Sequence, residues 1–213
     1  MCNLYSETKG QQAILAFTRA TRDRSGNLPP LPAIFPDSLA PVVHVAADGV
    51  RELTMMRWGF PPPPAAGSRP VTNVRNLASP YWRTWLKPEF RCLIPASAFC
   101  EWTDGPPKVT NWFALSPERP PFAFAGLWRP WRGTRRGEDG EHRLYALLTC
   151  AANDDVRPVH AKAMPVILTT PDACDAWLTS PAEEAAAMQQ PLPAGALTIV
   201  ARGARQDPPG VEV

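Results

Sequence analysis

Proline is the residue type that most constrains what this chain can fold into. The sequence contains 27 prolines among 213 residues, about 13% against a usual share near 5%, and they are spread along its whole length. Because proline lacks a backbone N–H, it interrupts the interior of helices and of central strands. The sequence therefore predicts many short elements joined by fixed loops, with an extended loop at the run from Pro61 to Pro64.

Short apolar segments separated by turn residues predict an antiparallel sheet. Residues 41–45 and 50–58 flank Asp48-Gly49, a pair that favours a β-hairpin with a type I′ turn. The stretch 132–140 is polar and glycine-rich, which is typical of a hairpin insertion. The other predicted strands span residues 92–95, 98–102, 109–115, 122–128, 144–149, 165–168 and 197–200.

Helix start signals predict four short helices. They are expected to begin at Thr8, Ser79-Pro80, Thr170-Pro171 and Ser180-Pro181. In the first and the last, Gln11 and Glu183 complete the pattern of a capping box. The first helix is expected to end near Arg22, and the second at Lys87-Pro88.

Neither an internal repeat nor a long linker divides the chain. The expected fold class is therefore α+β, a single domain built on a curved, barrel-like antiparallel β-sheet with short flanking helices. We expect this domain to span residues 1–202 and residues 203–213 to form a flexible tail.

Hydrophobic residues make up 45% of the chain and charged residues 20%, values that describe an ordinary soluble globular protein. No run approaches the roughly 18 apolar residues of a membrane span, and the N-terminus lacks the regions of a signal peptide. A cytoplasmic protein without membrane contact is expected. The five cysteines include no C-x-x-C pair, so reduced thiols, no metal and no cofactor are expected.

Positive charge is concentrated in the first half of the chain. Residues 1–100 carry a net charge of +5 and residues 101–213 a net charge of −3. Between positions 69 and 91, five cations face the single acid Glu89. This segment suits a nucleic-acid backbone, but from charge alone a solvated basic face without a partner is an equal alternative.

Cys2 is the first candidate for chemistry. Removal of Met1 leaves a residue that carries a free α-amine and a thiol on adjacent carbons. The amine can form an imine with an aldehyde, and the thiol can then close on the imine carbon to give a thiazolidine ring. The alternative is an ordinary frayed chain end.

Three polar residues lie in apolar surroundings: Asn73, Glu101 and His160. Each is alone more often a satisfied structural residue than a catalytic one, and His44, in an apolar strand, is expected to be structural. Together with Cys2 the three make chemical sense, because imine formation needs a proton donor and a base. A histidine and a partly desolvated glutamate suit those roles, while an amide can hold a group without titrating.

These residues belong to a set of motifs that resembles the SOS response-associated peptidase family, the SRAP domain proteins that process abasic sites in single-stranded DNA. The matching motifs are Met-Cys at the start, Ala40-Pro41, Arg-Trp-Gly-Phe-Pro at 57–61, Asn-Val-Arg at 73–75, Arg-Cys-Leu-Ile-Pro at 91–95, Glu101-Trp102, Phe-Ala-Gly-Leu-Trp at 124–128, and His160 ahead of residues 164–168. The resemblance implies a covalent thiazolidine link between the processed N-terminal cysteine and the ring-opened aldehyde of the lesion. It also implies that the family's peptidase activity is removal of the residues ahead of Cys2.

The resemblance also implies a role for each matched residue. Cys2 would be the nucleophile, Asn73 a positioning residue, and Glu101 and His160 acid–base groups. The DNA contacts would be Arg75, Trp58, Trp102, Pro41 and Lys162. The implied partner is single-stranded DNA with abasic sites, bound by a monomer that is nucleoid-associated when on DNA.

The sequence departs from the family pattern where Gly-Arg commonly follows the cysteine. Asn3-Leu4 stands there instead, so Lys9 or an arginine elsewhere would have to supply the missing cation. Two other function classes stay open. The chain could be an N-terminal-nucleophile hydrolase that attacks amides, or a single-stranded DNA-binding module without catalysis, in which Trp58 and Trp102 only stack on bases.

Overall fold

The strands of this computed structural model, which describes residues 2–62 and 69–209, form two sheets. In chain order they are β1 Tyr5–Glu7, β2 Arg22–Asp23, β3 Leu31–Ile34, β4 Leu39–Val45, β5 Arg51–Trp58, β6 Asn73–Val74, β7 Arg91–Ala96, β8 Ala98–Trp102, β9 Thr110–Ala114, β10 Phe122–Arg135, β11 Glu138–Cys150, β12 Met164–Pro165, β13 Ile167–Leu168 and β14 Thr198–Arg202. Four helices flank them: α1 Gln11–Thr18, α2 Pro80–Arg83, α3 Pro171–Thr179 and α4 Ala182–Ala187. Short 3-10 turns follow α2 at Thr84–Leu86 and Pro88–Phe90.

Five strands close into a barrel in the order β5, β4, β7, β10, β11. Adjacent strands in this order pair antiparallel. The barrel closes where β11 pairs in parallel with β5, with Leu144 opposite Arg57 and Tyr145 opposite Trp58. The second sheet has the order β14, β9, β8, β1, β3. The predicted α+β class with a barrel-like sheet in a single domain is confirmed. The sheet is not purely antiparallel, because β2 and β6 also pair in parallel, with β5 and β11 respectively.

Aromatic side chains fill the junction between the barrel and the second sheet. The ring of Tyr5 packs edge-on against Trp58 and Phe124, at centroid distances of 5.2 and 5.4 Å. At Gly126 in β10, a Cβ atom would lie 2.1 Å from the side chain of Ile94 in β7. A side chain there would displace the end of the Ile94 side chain and press on the Ala146 carbonyl and the Cys92 sulfur, each 3.1 Å away, so glycine fits this close packing.

Both predicted hairpins form. The β10–β11 ladder runs to Arg135–Glu138, and Arg136 and Gly137 both have positive φ, at 50° and 81°, as a type I′ turn requires. The type I′ turn predicted for the β4–β5 hairpin is wrong, because only Gly49 of Asp48-Gly49 has a positive φ. There the Ala46 carbonyl accepts from the Gly49 N–H, and a wider loop results.

Helix positions were predicted better than helix caps. Ser79 and Thr170 precede α2 and α3 as predicted, and the Thr170 hydroxyl accepts from the Ala173 N–H. The capping box predicted at Thr8 is wrong, since the Thr8 hydroxyl bonds to Ser97, Gly10 takes the cap position, and α1 ends at Thr18. The one at Ser180 is also wrong: Pro181 caps α4 without a side-chain bond.

The described part of the predicted tail, residues 203–209, contacts the second sheet. The Asp207 carboxylate is buried, accepts from the Ser6 hydroxyl at 2.7 Å and pairs with Arg119 at 2.8 Å. Its N–H donates to the Pro32 carbonyl. Residues 210–213, and Pro63 and Pro64 of the predicted proline loop, lie outside the described residues.

Within the described ranges, no helix combines the length and the apolar character that crossing a membrane would need.

Candidate active site

Cys2 lies in a fixed position just ahead of β1. Its side chain is fully buried, and its carbonyl accepts from the Asn73 amide at 2.9 Å. The thiol donates to the Leu4 carbonyl, with sulfur and oxygen 3.5 Å apart. Burial, and then the charge of Glu101, raise the pKa of this thiol well above its usual range. The described part of the chain start is therefore ordered, while Met1 lies outside the described residues.

Asn73 joins Cys2 to the barrel. Its strand, β6, pairs in parallel with β11, where Asn73 stands opposite Leu147. The amide also donates to the Thr72 hydroxyl at 2.8 Å, and that hydroxyl in turn donates to the Asn3 side chain at 3.3 Å. The Asn73 Oδ1 atom is buried and has no hydrogen-bond partner among the described residues. An acceptor thus remains beside Cys2.

Glu101 reaches the same place from β8, whose neighbour is β1. The Leu4 carbonyl accepts from the Cys100 N–H at 2.9 Å, which aligns the start of the chain with the residues around Glu101. Glu101 is 2% exposed. Burial, with the nearby charge of Asp104, raises its pKa to about 7. At neutral pH its acid and base forms are therefore comparable.

His160 is oriented by Asp104, a residue that the sequence analysis missed. Its Nδ1 lies 2.8 Å from Asp104 Oδ1, and the Ala161 N–H donates to the other oxygen at 2.9 Å. These bonds lower the pKa of Asp104, so this carboxylate accepts only and the histidine proton belongs on Nδ1. Burial lowers the pKa of His160, although Asp104 acts against it. The basic lone pair is thus placed on Nε2.

Two tyrosines near Cys2 were also missed. The hydroxyls of Tyr5 and Tyr145 lie 2.6 Å apart in the core, and both side chains are fully buried. Burial raises the pKa of each, and the Cys2 thiol adds to this effect in both cases. Aromatic residues in strands are expected in a core, so nothing in the sequence indicates that these two hydroxyls lie near the Cys2 thiol.

Three of the residues predicted to bind DNA lie around the same groups. Arg75 and Lys162 are exposed, and the Arg75 guanidinium donates to the Lys162 carbonyl at 2.7 Å. Trp102 is half-buried and follows Glu101 in β8. The Arg75–Lys162 bond brings the segments of Asn73 and His160 together, and contact of these three residues with DNA stays a prediction.

Trp58 and Pro41 require a correction, because both are buried in the barrel. The Trp58 indole N–H donates to the Thr72 carbonyl at 3.1 Å, and its ring stacks on Tyr145 at a centroid distance of 6.2 Å. Pro41 lies within β4, opposite Met55. Neither ring is presented to a bound strand, so the structure assigns both residues to packing.

A further correction concerns the basic segment 69–91. Arg91 is fully buried, with its guanidinium donating to the Ser180 carbonyl and lying over the Trp177 ring. The segment therefore exposes one cation fewer than its sequence indicates. Leu4, which stands where the family commonly has arginine, is also buried, in a small apolar cluster with Trp112.

The five cysteines are unpaired thiols, and the described residues contain no group of three or more side chains that could hold a metal ion. A cavity of about 930 Å³ elsewhere on the barrel is lined by none of the predicted site residues.

Comparison with known proteins gives the same family as the motifs. The family model "SOS response associated peptidase (SRAP)" matches residues 1–202. The chain is 32% identical over 141 residues to abasic site processing protein YoaM of Bacillus subtilis (strain 168), an alignment covering 60% of this chain and 57% of that protein. It is 33% identical over 137 residues to YoqW, another abasic site processing protein of that organism, covering 60% and 58%. The chain thus matches less than two-thirds of the length of these curated relatives.

Solved structures share the fold. A Bordetella bronchiseptica protein superposes with a TM-score of 0.75 and 26% identity, covering all of both chains. A Bacteroides thetaiotaomicron protein superposes with a TM-score of 0.70 and 20% identity, covering 92% of this chain and 90% of that one. At that identity the second likeness concerns the fold alone.

Proposed function

Because the chain belongs to the SOS response associated peptidase family, we propose that it processes abasic sites in single-stranded DNA by forming a covalent link through Cys2. Its relatives YoaM and YoqW are named abasic site processing proteins, which supports an abasic site as the substrate. The proposal requires removal of Met1, which frees the α-amine of Cys2.

One observation carries the proposal: a chain-start cysteine is buried and held by Asn73 beside a carboxyl group of raised pKa. A cysteine with only a structural role needs no such setting. The Asn73 bond fixes the backbone of Cys2, which removes freedom that an ordinary terminus keeps and pre-organises attack.

The first step is attack of the Cys2 amine on the aldehyde carbon of the ring-opened abasic sugar. As the amine attacks, its nitrogen loses a proton to His160 Nε2, a suitable acceptor because Asp104 holds the other proton on Nδ1, and the histidine passes that proton on to the former aldehyde oxygen. The resulting carbinolamine loses its hydroxyl as water when Glu101, in its acid form, donates a proton. An iminium ion remains, linking the Cys2 nitrogen to the sugar carbon.

The second step is ring closure by the thiol. Burial keeps the Cys2 thiol protonated, so its sulfur must give up the proton as it bonds to the iminium carbon. Glu101, now a carboxylate, can take that proton and return to its acid form. Overall the aldehyde and the aminothiol give a thiazolidine and one water, and the raised pKa of Glu101 suits both transfers.

The decisive experiment uses a single-stranded oligonucleotide with one abasic site and protein shown by intact mass to lack Met1. We expect a DNA-dependent mass shift that survives denaturation, and none with an undamaged oligonucleotide. Cys2→Ala keeps the amine, so its imine should be trapped by borohydride but hydrolyse without it. Cys100→Ala, which removes a neighbouring buried thiol, is the matched control and should still form the stable link.

Two results would count against the proposal. If protein that retains Met1 cross-links at full rate, an internal nucleophile does the chemistry. If no adduct forms but undamaged single strands bind, the chain is a binding module without catalysis.

A further inference from the structure

A separate cavity of about 930 Å³ opens where the β4–β5 hairpin turns, beside residues 45–49. The candidate active site adjoins the other end of β5, because the Trp58 side chain bonds to the carbonyl of Thr72, next to Asn73. Glu52, which lines the cavity, lies six residues from Trp58 in the same strand, or roughly 20 Å. The cavity is therefore distinct from the Cys2 site.

The walls of this cavity are mainly apolar and partly aromatic. Phe90 and Trp128 contribute rings whose centroids are 6.4 Å apart, and Pro130 and Leu178 add aliphatic surface. The volume falls in the range of sites that enclose small organic ligands. Flat aromatic walls favour a planar ligand over a bulky or flexible one.

The charges in the wall cancel one another. Its acids are Glu52 and Glu89, and its cations are Arg24 and Arg143. The buried Glu52 carboxylate lies 3.0 Å from the Arg24 Nε and 3.6 Å from an Arg143 nitrogen. Because no net charge is left over, the wall suits a neutral ligand better than a phosphate or a carboxylate.

Two buried polar atoms in this wall lack a partner among the described residues. They are the Trp128 Nε1 atom and the His44 Nδ1 atom, whereas His44 Nε2 faces the buried Glu52 carboxylate at 3.7 Å. The two rings pack together at a centroid distance of 4.6 Å. Burial and the Arg143 charge lower the pKa of His44, although Glu52 acts against them, and the neutral imidazole directs its Nε2–H toward the Glu52 carboxylate, so Nδ1 is left as an acceptor. Buried polar atoms ordinarily have a hydrogen-bond partner, so these atoms indicate that a bound ligand supplies one.

We propose that this cavity binds a neutral planar heterocycle of the nucleobase class, stacked on the aromatic wall and hydrogen-bonded to Trp128 Nε1 and His44 Nδ1. Both nitrogen-bearing rings are expected to turn toward the ligand on binding. The same chemistry is offered by a free nucleoside and by an unpaired base of a DNA strand.

Saturation-transfer NMR with thymidine and adenosine tests the proposal directly. Ala47→Trp, at an exposed position of the cavity rim, should weaken nucleoside binding at least tenfold by filling the space. Trp128→Phe should weaken it several-fold, because it keeps the ring and removes the donor. Ala187→Trp, an exposed alanine at the end of α4, is the matched control and should bind like the wild-type protein.

A second arm separates the two sources of the ligand. If Ala47→Trp also weakens binding of an undamaged single-stranded oligonucleotide, the natural ligand is a base of the strand; if not, it is a free nucleoside. The proposal is overturned if neither nucleoside binds at millimolar concentration, or if Ala47→Trp binds nucleosides unchanged. Much tighter binding of a nucleoside monophosphate than of its nucleoside would also overturn it, since that indicates a phosphate site.

Discussion

At the scale of single residues, the acid–base character of Glu101 follows from its position in β8. The strand holds it between Cys100 and Trp102 with its carboxyl group out of water, and the pKa rises to about 7. A glutamate at the surface would be almost entirely ionised at neutral pH and a poor acid. Burial thus makes one residue suitable for both giving and taking a proton.

Glu101→Gln is expected to slow cross-linking roughly 10²–10⁴-fold, because the amide keeps the shape of the side chain but cannot transfer a proton. Single-turnover rates measured on denaturing gels would show this. Affinity for undamaged single-stranded DNA should stay unchanged. If the variant instead loses affinity and reacts normally once bound, Glu101 is a binding residue.

The pH dependence of the cross-linking rate is a second test of Glu101→Gln. As pH rises through about 7, Glu101 loses its acid form, while the α-amine, with an ordinary pKa of about 7.7–8.0, gains its nucleophilic form. The wild-type rate should therefore pass through a maximum. In Glu101→Gln the fall on the alkaline side should disappear.

Asp104 is expected to matter through His160. In Asp104→Asn one oxygen remains for two donors, the His160 Nδ1–H and the Ala161 N–H, so the orientation of the imidazole is weakened. We expect a rate loss of up to about a hundredfold, at the lower end of what a general base contributes. The pH–rate profile should change while DNA affinity does not. An unchanged rate and profile would remove Asp104 and His160 from the proton path.

The sequence could name some of these residues but not others. Asn73, Glu101 and His160 stand out as polar groups in apolar segments, and such groups need partners wherever the chain folds. Asp104 does not stand out in the sequence, because an acidic residue before a glycine is typical of an ordinary turn. Trp58 was assigned to DNA through the family motif, since its indole has both an apolar body and a polar tip and only its bond to Thr72 reveals a core position.

At the scale of elements, β1 holds Cys2 in place although it is only three residues long. It pairs with β3 and β8. It is also tied to the C-terminal segment through the Ser6–Asp207 bond, and Asp207 pairs with Arg119. Both charged side chains of this pair are almost fully buried, at 4% and 0% exposure.

Asp207→Ala is expected to lower the free energy of unfolding by about 3–5 kcal/mol, because it leaves the Arg119 guanidinium buried without its counter-charge. Replacing both residues, as Arg119→Met with Asp207→Leu, should recover much of that loss. Urea unfolding would measure the difference. Arg205→Ala, at an exposed position two residues earlier, serves as the control and should unfold like the wild-type protein. Equal stability of Asp207→Ala and this control would mean that the segment does not hold β1.

Local signals predicted some elements well, although the turn type at Asp48-Gly49 and the cap at Ser180 were wrong, and features that depend on distant partners were missed. The turn at Arg136-Gly137 and the cap at Thr170 depend on a few neighbouring residues. Thr8 has the pattern of a capping residue, but its hydroxyl bonds to Ser97, which the sequence could not place nearby. In the same way, nothing local indicated that Asp207 would meet Ser6, 201 residues away.

At the scale of the whole molecule, the barrel and the second sheet bring distant segments to one site. Cys2 comes from the chain start, Asn73 from a strand added to β11, and His160 from the loop that Asp104 holds next to β8. Sequence patterns predicted the five strands of the barrel but not the short strands β1, β2, β3 and β6. They also did not predict the parallel closure of β11 on β5, since that register depends on packing across the barrel. Folding also lowers the number of exposed cations in the first half of the chain, because Arg91 is buried in the core.

The exposed cations Arg75 and Lys162 lead to a last prediction about the form of the DNA. A strand that must offer a ring-opened aldehyde to the buried Cys2 has to leave the stacked duplex, so cross-linking to an abasic site in a single strand should be much faster than in a full duplex. Each phosphate contact releases counterions, so a tenfold rise in salt lowers the logarithm of the binding constant for a single strand by roughly 0.7 per contact. Arg75→Ala should therefore weaken single-strand binding and reduce that salt slope by about one contact, whereas Arg205→Ala should leave the slope as it is. Fluorescence anisotropy between 50 and 200 mM salt, roughly the range over which such contacts are resolved, measures both slopes. Equal reaction of duplex and single strand would mean that the lesion reaches Cys2 without leaving the helix, and an unchanged slope in Arg75→Ala would place the DNA backbone elsewhere on the surface.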